Sequence, residues 1–417
     1  MLKRILIVVF IFITALSFAQ GGTTSPYSFY GIGIQKFKGT AENRAMGGMG
    51  VYSDSIHLNM QNPAGIASLR LINYSVGGSH KSVNQKSAIE SQKTTATSLD
   101  YIAVGIPMGK FAGSFGLIPY SAVGYKLQTI EETTITQSSG EGGLNRAFLT
   151  LAYNVTPKLS FGIDTNYNFG NVENTINSKN DDIELGTREI TRSEVLGFSF
   201  NFGAMYKTMV TENLELSTSL AYAPGTNFVS ENSRELSTIV VLPTGFPIVS
   251  ESLTFDEPDT EFTFPSQISV GAGIGMPKRW FIGLEYTSQK NSNFENRDLN
   301  LDPSLTNVEY VNSSKFKLGG FYIPNYNTIR SYWKRIVYRA GIRYEHSGLK
   351  IVGQDINEFG ISFGVGLPAG KLFSNVNLGF EAGRRGTTDF GLIQENFFNT
   401  FLSLSLNDKW FEKRYYD

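Results

Sequence analysis

Two arginines in a strand-like segment are the residues of this chain best placed to do chemistry. Arg339 and Arg343 are four residues apart, so an extended strand presents them on the same face. Two guanidinium groups suit a carboxylate, and phenylalanines on the matching face of other segments suit an apolar body. In the alternative interpretation the arginines pair with Glu345 or Glu381. The predicted contacts of an amphipathic ligand are Phe148, Phe281, Phe321, Arg339 and Arg343.

Catalytic chemistry has little support in the sequence. The histidines His57, His80 and His346 are scattered, and nothing near them marks the serine–histidine pair of a nucleophile. The chain has no cysteine, which excludes disulfides and thiolate metal sites. Acidic runs at 180–184 and 255–259 are predicted to be solvated loops rather than calcium sites. We therefore predict no enzyme activity, no metal and no cofactor.

The chain opens with the pattern of an export signal. Lys3 and Arg4 precede an apolar run that ends at small residues, which predicts a signal peptide over 1–19 cleaved after Ala19. A membrane anchor helix is the alternative, but the apolar run is short. The net charge of −1 gives no indication of nucleic-acid binding. Beyond the signal, no stretch reaches the ~18 consecutive apolar residues of a spanning helix.

Alternation with period two runs through the rest of the chain. In residues 159–170 the odd positions are Leu, Phe, Ile, Thr, Tyr and Phe, and the even positions are small or polar. Successive strand residues face opposite sides, so such a strand has one oily and one polar face. Charged residues fall on the polar face, as a barrel in lipid requires. Fourteen such segments occur, near 70–80, 97–108, 111–128, 144–154, 159–174, 190–208, 213–228, 261–276, 279–290, 314–323, 334–346, 356–368, 373–384 and 395–407.

These segments predict an all-β fold, a transmembrane antiparallel up-and-down β-barrel of 14 strands. A soluble β-sandwich or β-helix is the competing fold, and it leaves the oily faces without a partner sheet. Short turns alternate with longer polar connections at 81–96, 175–189, 229–260 and 291–313, the pattern of periplasmic turns and external loops. The ten-residue connection 324–333 is an exception on the short side. Trp280, Trp333 and Trp410 fall at predicted periplasmic strand ends, as an interfacial girdle would.

Residues 20–69 do not follow the alternation. They contain "RAMGGMGVYSDSIHLNMQNPAGIASL", in which "NPAG" is a turn signal. This run resembles the N-terminal signature of the FadL/TodX family of outer-membrane transporters, through Arg44, Ala45, Gly47, Gly48, Asp54, Asn62, Pro63 and Ala64. Residues 262–288 resemble a second family segment through Pro265, Trp280 and Tyr286. The family often has an acidic pair where this chain has Asp54 followed by Ser55.

The resemblance implies a barrel over 70–417 with residues 20–69 as a hatch inside its lumen. It implies passive uptake of long-chain fatty-acid-like molecules across a Gram-negative outer membrane, with sideways exit at a kink in the third strand. Gly116 and Pro119 are predicted to form that kink, and the alternative is a harmless bulge or strand end. The implied partners are outer-membrane lipid and a hydrophobic ligand. The predicted hatch residues are Arg44, Gly47, Gly48, Asn62, Pro63 and Ala64.

A second function stays open. Some barrels that resemble this family act in protein secretion, as carriers or scaffolds for exported proteins. The predicted connection 229–260, with "TGFPIV" at 244–249, would then be a docking surface.

Overall fold

The chain forms one closed antiparallel barrel. A computed structural model describes residues 22–180, 182–241, 247–291, 307–328, 330–369 and 374–409, so the predicted signal peptide and Trp410 lie outside the described residues. The barrel closes where the last strand pairs with the first, from Gln394 opposite Lys86 to Asp408 opposite Ile72. The predicted fourteen-stranded up-and-down barrel is confirmed. Its strands are β1 (Ile72–Lys86), β2 (Ser91–Met108), β3 (Phe111–Pro119 and Ser121–Glu131), β4 (Thr134–Asn154), β5 (Leu159–Asn180), β6 (Leu185–Thr211), β7 (Leu214–Ala223 and Thr226–Val241), β8 (Pro247–Phe264 and Gln267–Met276), β9 (Trp280–Gln289), β10 (Val308–Tyr310 and Ser313–Tyr322), β11 (Val337–Ile351), β12 (Gln354–Pro368), β13 (Asn375–Arg385) and β14 (Gln394–Asp408).

The outer face of the barrel is apolar and the inner face is polar. Strand β6 shows the division, which the period-two alternation predicts. A band of exposed apolar side chains is what lipid requires of a barrel wall. The exposed residues of β6 in this band are Leu196, Phe198, Phe200, Phe202 and Tyr206. The buried residues that alternate with them are Ser199, Asn201 and Met205.

Helices contribute little to this fold. In the part of the chain that the structure describes, no helix has the length and apolar character needed to cross a membrane.

Several strands extend far beyond the length that a bilayer requires. Strand β6 has 27 residues, whereas a tilted membrane strand needs ~9–11. The predictions of loops at 175–189 and 229–260 were therefore wrong: most of these residues continue β5 to β8. The connection predicted at 81–96 shrinks in the same way to residues 87–90. Beyond the bilayer the outer face of a strand no longer meets lipid, so an apolar outer face is no longer required although the hydrogen-bond ladder continues.

The strand extensions form a sheet that rises from one side of the barrel. We call it the upper wall, and it comprises residues 121–131, 134–143, 170–180, 185–196, 226–241 and 247–264 of β3 to β8. The opposite end of the barrel has the short turns, such as 109–110 and 212–213. The predicted exception at that end stands, since Tyr322 and Val337 are joined by a longer connection that contains the 3-10 helix Trp333–Arg335. Trp333 is 73% exposed there.

Residues 22–71, the N-terminal segment, pack against the inner side of the barrel. The segment contains a 3-10 helix, Pro26–Phe29, a two-residue strand, Ile34–Gln35, helix α1 (Ala41–Ala45) and a second 3-10 helix, Pro63–Ser68. Asn62 caps the second 3-10 helix by accepting a hydrogen bond from the N–H of Ala64 at 3.0 Å, and Pro63 takes the first helical position, where no N–H is needed. The predicted turn at "NPAG" is thus the start of this short helix.

Candidate functional site

The barrel wall opens between β2 and β3. The ladder that joins these strands runs from Met108 opposite Phe111 to Ile102 opposite Leu117 and ends there. Above this point β3 breaks at Tyr120, and its second half pairs with β4. On its other side, the two-residue strand of the N-terminal segment pairs with Ser121 and Ala122. Among the described residues, no β2 residue before Ile102 pairs with β3, so the wall has a gap beside Pro119.

Pro119 lies at the break without disturbing the pairing of β3 with β4. The N–H of Tyr120 donates to the carbonyl oxygen of Leu144 in β4 at 2.7 Å. Adjacent strand residues direct their N–H groups to opposite sides, so the N–H that Pro119 lacks would have pointed toward β2. The carbonyl of Tyr120 accepts from the N–H of Lys36 at 2.9 Å. The proline therefore removes a donor only where the β2–β3 ladder has already ended.

Gly116 lies within the last part of the intact β2–β3 ladder. It pairs with Ala103, and a Cβ at Gly116 would stand 2.2 Å from the carbonyl oxygen of Ile102 and 2.9 Å from the ring of Phe148. Glycine is needed here because the wall and an inward aromatic ring approach it closely. The structure thus brings both predicted kink residues to the gap, and their role in exit stays a prediction.

A cavity of about 420 Å³ lies inside the barrel next to the gap. Its lining near β3 includes Ile118, Pro119 and Tyr120, and Phe264 of β8 contributes an aromatic face. The ring of Tyr120 lies 5.1 Å from that of Phe264 and carries the guanidinium of Arg146 over its face at 4.0 Å. The site therefore combines aromatic walls with one cation, the chemistry of a pocket for an amphipathic molecule.

Charged side chains line the rest of the cavity, and most are paired. Arg343 donates to Glu381 at 2.7 Å and also contacts Glu358, which in turn binds Arg385. Lys317 lies 2.8 Å from a carboxylate oxygen of Glu285. Such pairing neutralises the charges, as the alternative interpretation of Arg343 expected.

Three cations in the cavity lack such a partner. Within the described residues, Lys36, Lys81 and Arg146 have no carboxylate within 4.0 Å. Lys81 lies 4.5 Å above the ring of Phe397, and Arg146 donates to Asn168 at 2.8 Å. Burial lowers the pKa of Lys36 to about 8. These positions are where an anionic group in the cavity would find positive charge without competition.

The phenylalanines predicted to bind a ligand pack instead against the N-terminal segment. Phe148 belongs to a buried cluster with Leu58 and Ile66. Phe281 and Phe321 lie 4.9 and 4.8 Å from the ring of Tyr52. None of the three lines the cavity beside the gap. In the structure these rings support the segment, and a ligand role for them stays a prediction.

Of the two predicted arginines, only Arg343 faces that cavity. Arg339 is buried and donates to the side-chain oxygen of Asn377 at 3.1 Å. The structure therefore does not bring Arg339 and Arg343 together into one carboxylate clamp beside the gap. Arg146 and Tyr120 occupy that position, and the sequence signal that could have found them is their proximity to Pro119 in adjacent predicted strands.

One side of the N-terminal segment is fixed to β12, β13 and β2. Arg44 donates to Glu381 at 3.0 Å and lies 3.4 Å from Asp100. The N–H of Gly47 donates to the hydroxyl of Ser362 at 3.0 Å. Gly47 and Gly48 both have positive φ, of 70° and 82°, which glycine adopts without a steric penalty. These predicted hatch residues thus form a tight turn against the wall.

The other side of the segment is fixed to β5, β6 and β7. The side-chain amide of Asn62 donates to the carbonyl oxygens of Ala204 and Leu220 at 3.3 and 3.1 Å. A Cβ at Gly203 would stand 2.8 Å from Pro63, so the wall residue that contacts the segment here has to be a glycine. Asn62, Pro63 and Ala64 are all buried. All the predicted hatch residues therefore contact the barrel or support a contact, and gating by them stays a prediction.

His57 forms an acid–histidine pair within the segment. Its Nδ1 lies 2.7 Å from a carboxylate oxygen of Asp54, and its Nε2 lies 3.8 Å from Glu42. Burial alone would lower the pKa of His57, but the Asp54 carboxylate outweighs it and the pKa is raised. Burial also opposes the ionisation of Asp54, but His57 and two backbone N–H groups bring its pKa down to about 2.

The histidines show no catalytic arrangement. Where the chain is described, none of them contacts a serine hydroxyl: His80 binds Thr97 and His346 lies near Asp355. No group of three or more metal-ligating side chains occurs in those ranges.

Several solved structures are similar in fold to this barrel. The channel named "CymD monoaromatic hydrocarbon channel" aligns with a TM-score of 0.58 at 13% identity, over 90% of this chain and 100% of its own. The Pseudomonas putida toluene transporter TodX aligns with a TM-score of 0.58 at 16% identity, over 89% of this chain and 99% of its own. A Pseudomonas aeruginosa FadL homologue aligns at 0.56 and 11%, over 90% and 98%. At these identities the likeness establishes the fold, and the expected FadL-like barrel is confirmed.

Sequence comparison places the chain in a family. No curated protein sequence matches it significantly. The family model named BamG matches residues 1–417, the whole chain. The chain therefore belongs to the BamG family.

Proposed function

We propose that this barrel takes up hydrophobic or amphipathic small molecules across the outer membrane of a Gram-negative bacterium. The ligand, similar to a long-chain fatty acid, enters the cavity beside β3 and leaves sideways through the gap between β2 and β3. The observation that carries the proposal is this gap: the ladder ends at Ile102 and Leu117, and the cavity lies directly behind it.

Lateral exit suits a hydrophobic ligand for a physical reason. A molecule that moves from an aromatic-lined cavity directly into lipid never exposes its apolar surface to water. Movement follows the concentration gradient, and the N-terminal segment shifts when a ligand occupies the cavity. The similar structures include a toluene transporter and a monoaromatic hydrocarbon channel, which supports this class of ligand.

The test is uptake of fluorescent dodecanoate into liposomes that contain the purified barrel. Replacing Pro119 by valine restores an N–H on the β2 side, so we expect the two strands to pair further and uptake to slow. Pro107→Val is the matched control, because Pro107 lies in the intact ladder opposite Ala112. Uptake by Pro119→Val at the wild-type rate would exclude exit at this gap.

A second candidate is a scaffold or carrier function in protein secretion. The upper wall favours it, because a sheet that stands above the membrane is not needed to move a small molecule through it. In this candidate the wall presents strand edges and side chains to another protein.

A further inference from the structure

One strand of the upper wall has an edge that the described residues leave open. Residues 247–264 of β8 pair with β7 on one side. On the other side, β9 pairs only with Gln267–Met276, the lower part of β8. Across the ranges that the structure describes, no strand pairs with the second side of 247–264. We call this side the β8 edge.

The β8 edge is exposed and strongly acidic. Every residue from 248 to 256 is exposed, and Leu253 is 58% accessible. An open edge of this kind offers a row of backbone donors and acceptors to any extended chain. Residues 247–264 contain no lysine or arginine. Their carboxylates are Glu251, Asp256, Glu257, Asp259 and Glu261.

The charge of the edge determines which strand it accepts. Residues 292–306 of this chain follow β9, but they carry three carboxylates against the single cation Arg297. A second copy of the barrel would oppose the five carboxylates with the same five. Like charges on adjacent strands repel, so both occupants are disfavoured and a basic strand is favoured.

We propose that the β8 edge binds an extended, lysine- or arginine-bearing segment of another protein, which adds to the upper wall as its next strand. The inference rests on the scaffold candidate and is independent of small-molecule uptake. Backbone hydrogen bonds supply affinity, and the carboxylates select against neutral and acidic segments.

The geometry of β8 limits the length of the bound segment. The pairing of β8 with β7 shifts between Ser230 and Asn232, which brings Thr260 and Glu257 opposite them and leaves Pro258 and Asp259 in a bulge. Pro258 has no N–H to donate, and a bulge bends the strand edge. A second shift, between Thr238 and Ile239, leaves Ser250 in another bulge. The continuous edge is therefore 251–257, and a bound segment pairs over that stretch.

The test uses a labelled synthetic decapeptide in which lysine alternates with valine, and a matched peptide in which glutamate replaces lysine. We expect the purified barrel to bind the lysine peptide, with weaker binding as salt is added, and not the glutamate peptide. The triple variant Glu251→Lys, Asp256→Lys, Glu257→Lys should lose at least about tenfold in affinity for the lysine peptide and gain affinity for the glutamate peptide. The control Asp182→Lys with Glu184→Lys reverses two exposed carboxylates in the turn between β5 and β6, two strands from β8, and should leave lysine-peptide binding within about twofold.

Cross-linking locates the bound strand, because the chain has no cysteine of its own. A Thr254→Cys barrel should form a disulfide with a lysine peptide that carries a central cysteine.

Three binding results would overturn the proposal. They are equal binding of the two peptides, no binding of either peptide, and binding of both peptides to the triple variant with wild-type affinity. A disulfide between Thr254→Cys and Leu299→Cys within one chain, or a Thr254→Cys dimer, would also overturn it by assigning the edge to another occupant. Dodecanoate uptake by the triple variant should stay at the wild-type rate, so failure here is distinct from failure of the uptake proposal.

Discussion

The backbone of Gly47 lies directly against the backbone of Gly341. A Cβ added to Gly341 would stand 2.1 Å from the amide nitrogen of Gly47 and 2.2 Å from the carbonyl carbon of Met46. Gly341 pairs with Gly319, where a Cβ would stand 2.4 Å from the carbonyl oxygen of Met46. Glycines in adjacent strands thus make a shallow seat in the wall, and the turn at Gly47 occupies it.

Gly341→Ala should loosen the N-terminal segment while the barrel stays closed. The new methyl group meets backbone atoms, so the turn must move, at a cost of about 1–3 kcal/mol. Limited trypsin digestion in detergent should cut after Lys38 or Arg44 faster than in the wild type. Gly113→Ala is the control, since its nearest contact is the flexible end of Met108 at 3.4 Å. Equal digestion of the two variants would show that the close approach of Gly341 to Gly47 does not hold the N-terminal segment in place.

Arg44→Met should raise the opening rate of residues 41–50. The change removes the contacts of Arg44 with Glu381 and Asp100, while Arg343 still neutralises Glu381. We therefore expect the free energy of local opening of this stretch to fall by about 1.5–3 kcal/mol. Hydrogen exchange of these amides measures it. Arg192→Met is the control, because its pair with Glu173 is exposed and such pairs contribute ~0–1 kcal/mol. Similar exchange in both variants would show that Arg44 does not hold the segment.

Arg146→Met should weaken binding of an anionic amphiphile more than binding of a hydrocarbon. Arg146 faces the cavity over the ring of Tyr120 and has no carboxylate partner in the described ranges. Loss of a charged hydrogen bond costs about 1.5–3 kcal/mol, or roughly ten- to a hundredfold in affinity for dodecanoate. Toluene binding should change little. Lys126→Met, an exposed cation of the upper wall, serves as the control. Equal losses for dodecanoate and toluene would mean that Arg146 shapes the cavity rather than binds a charge.

The attachment of residues 54–57 should depend on pH. The raised pKa of His57 means that its contribution is complete below its ordinary pKa of about 6.5 and is lost as the pH rises through the folded value. The lowered pKa of Asp54, about 2, means that its contribution is present above about 3.9 and is lost as the pH falls toward 2. Hydrogen exchange of this stretch, corrected for intrinsic rates, should be slower at pH 6 than at pH 9. His57→Gln should abolish the difference, and a difference that persists would assign it to another group.

The wall strands were predictable because lipid and lumen impose a local pattern. Each membrane strand has lipid on one side, so residues such as Phe198 and Phe202 alternate with polar ones whatever the rest of the chain does. That pattern ends where the bilayer ends. The extension of β6 to 27 residues was therefore missed, since it depends on pairing with distant strands that leaves no mark on the local alternation.

The candidate site also has features that the sequence predicts and features that only the folded barrel shows. Pro119 was recognisable from the sequence because a proline inside a strand pattern conflicts with the ladder. The side of the strand on which its missing N–H falls depends on the bond from Tyr120 to Leu144, which only the folded barrel shows. Parity alone also directed Phe281 inward correctly, but it could not tell an open cavity from the space that Tyr52 fills.

By itself, the sequence determined the fourteen strands, their inward and outward faces and the glycines and prolines that interrupt them. All of these features follow from neighbours along the chain. The tertiary structure decided what the inward residues meet. The gap beside Pro119, the seat for Gly47, the position of Arg146 over Tyr120 and the β8 edge all depend on contacts between residues far apart in the chain, and closure of the barrel alone brings those residues together.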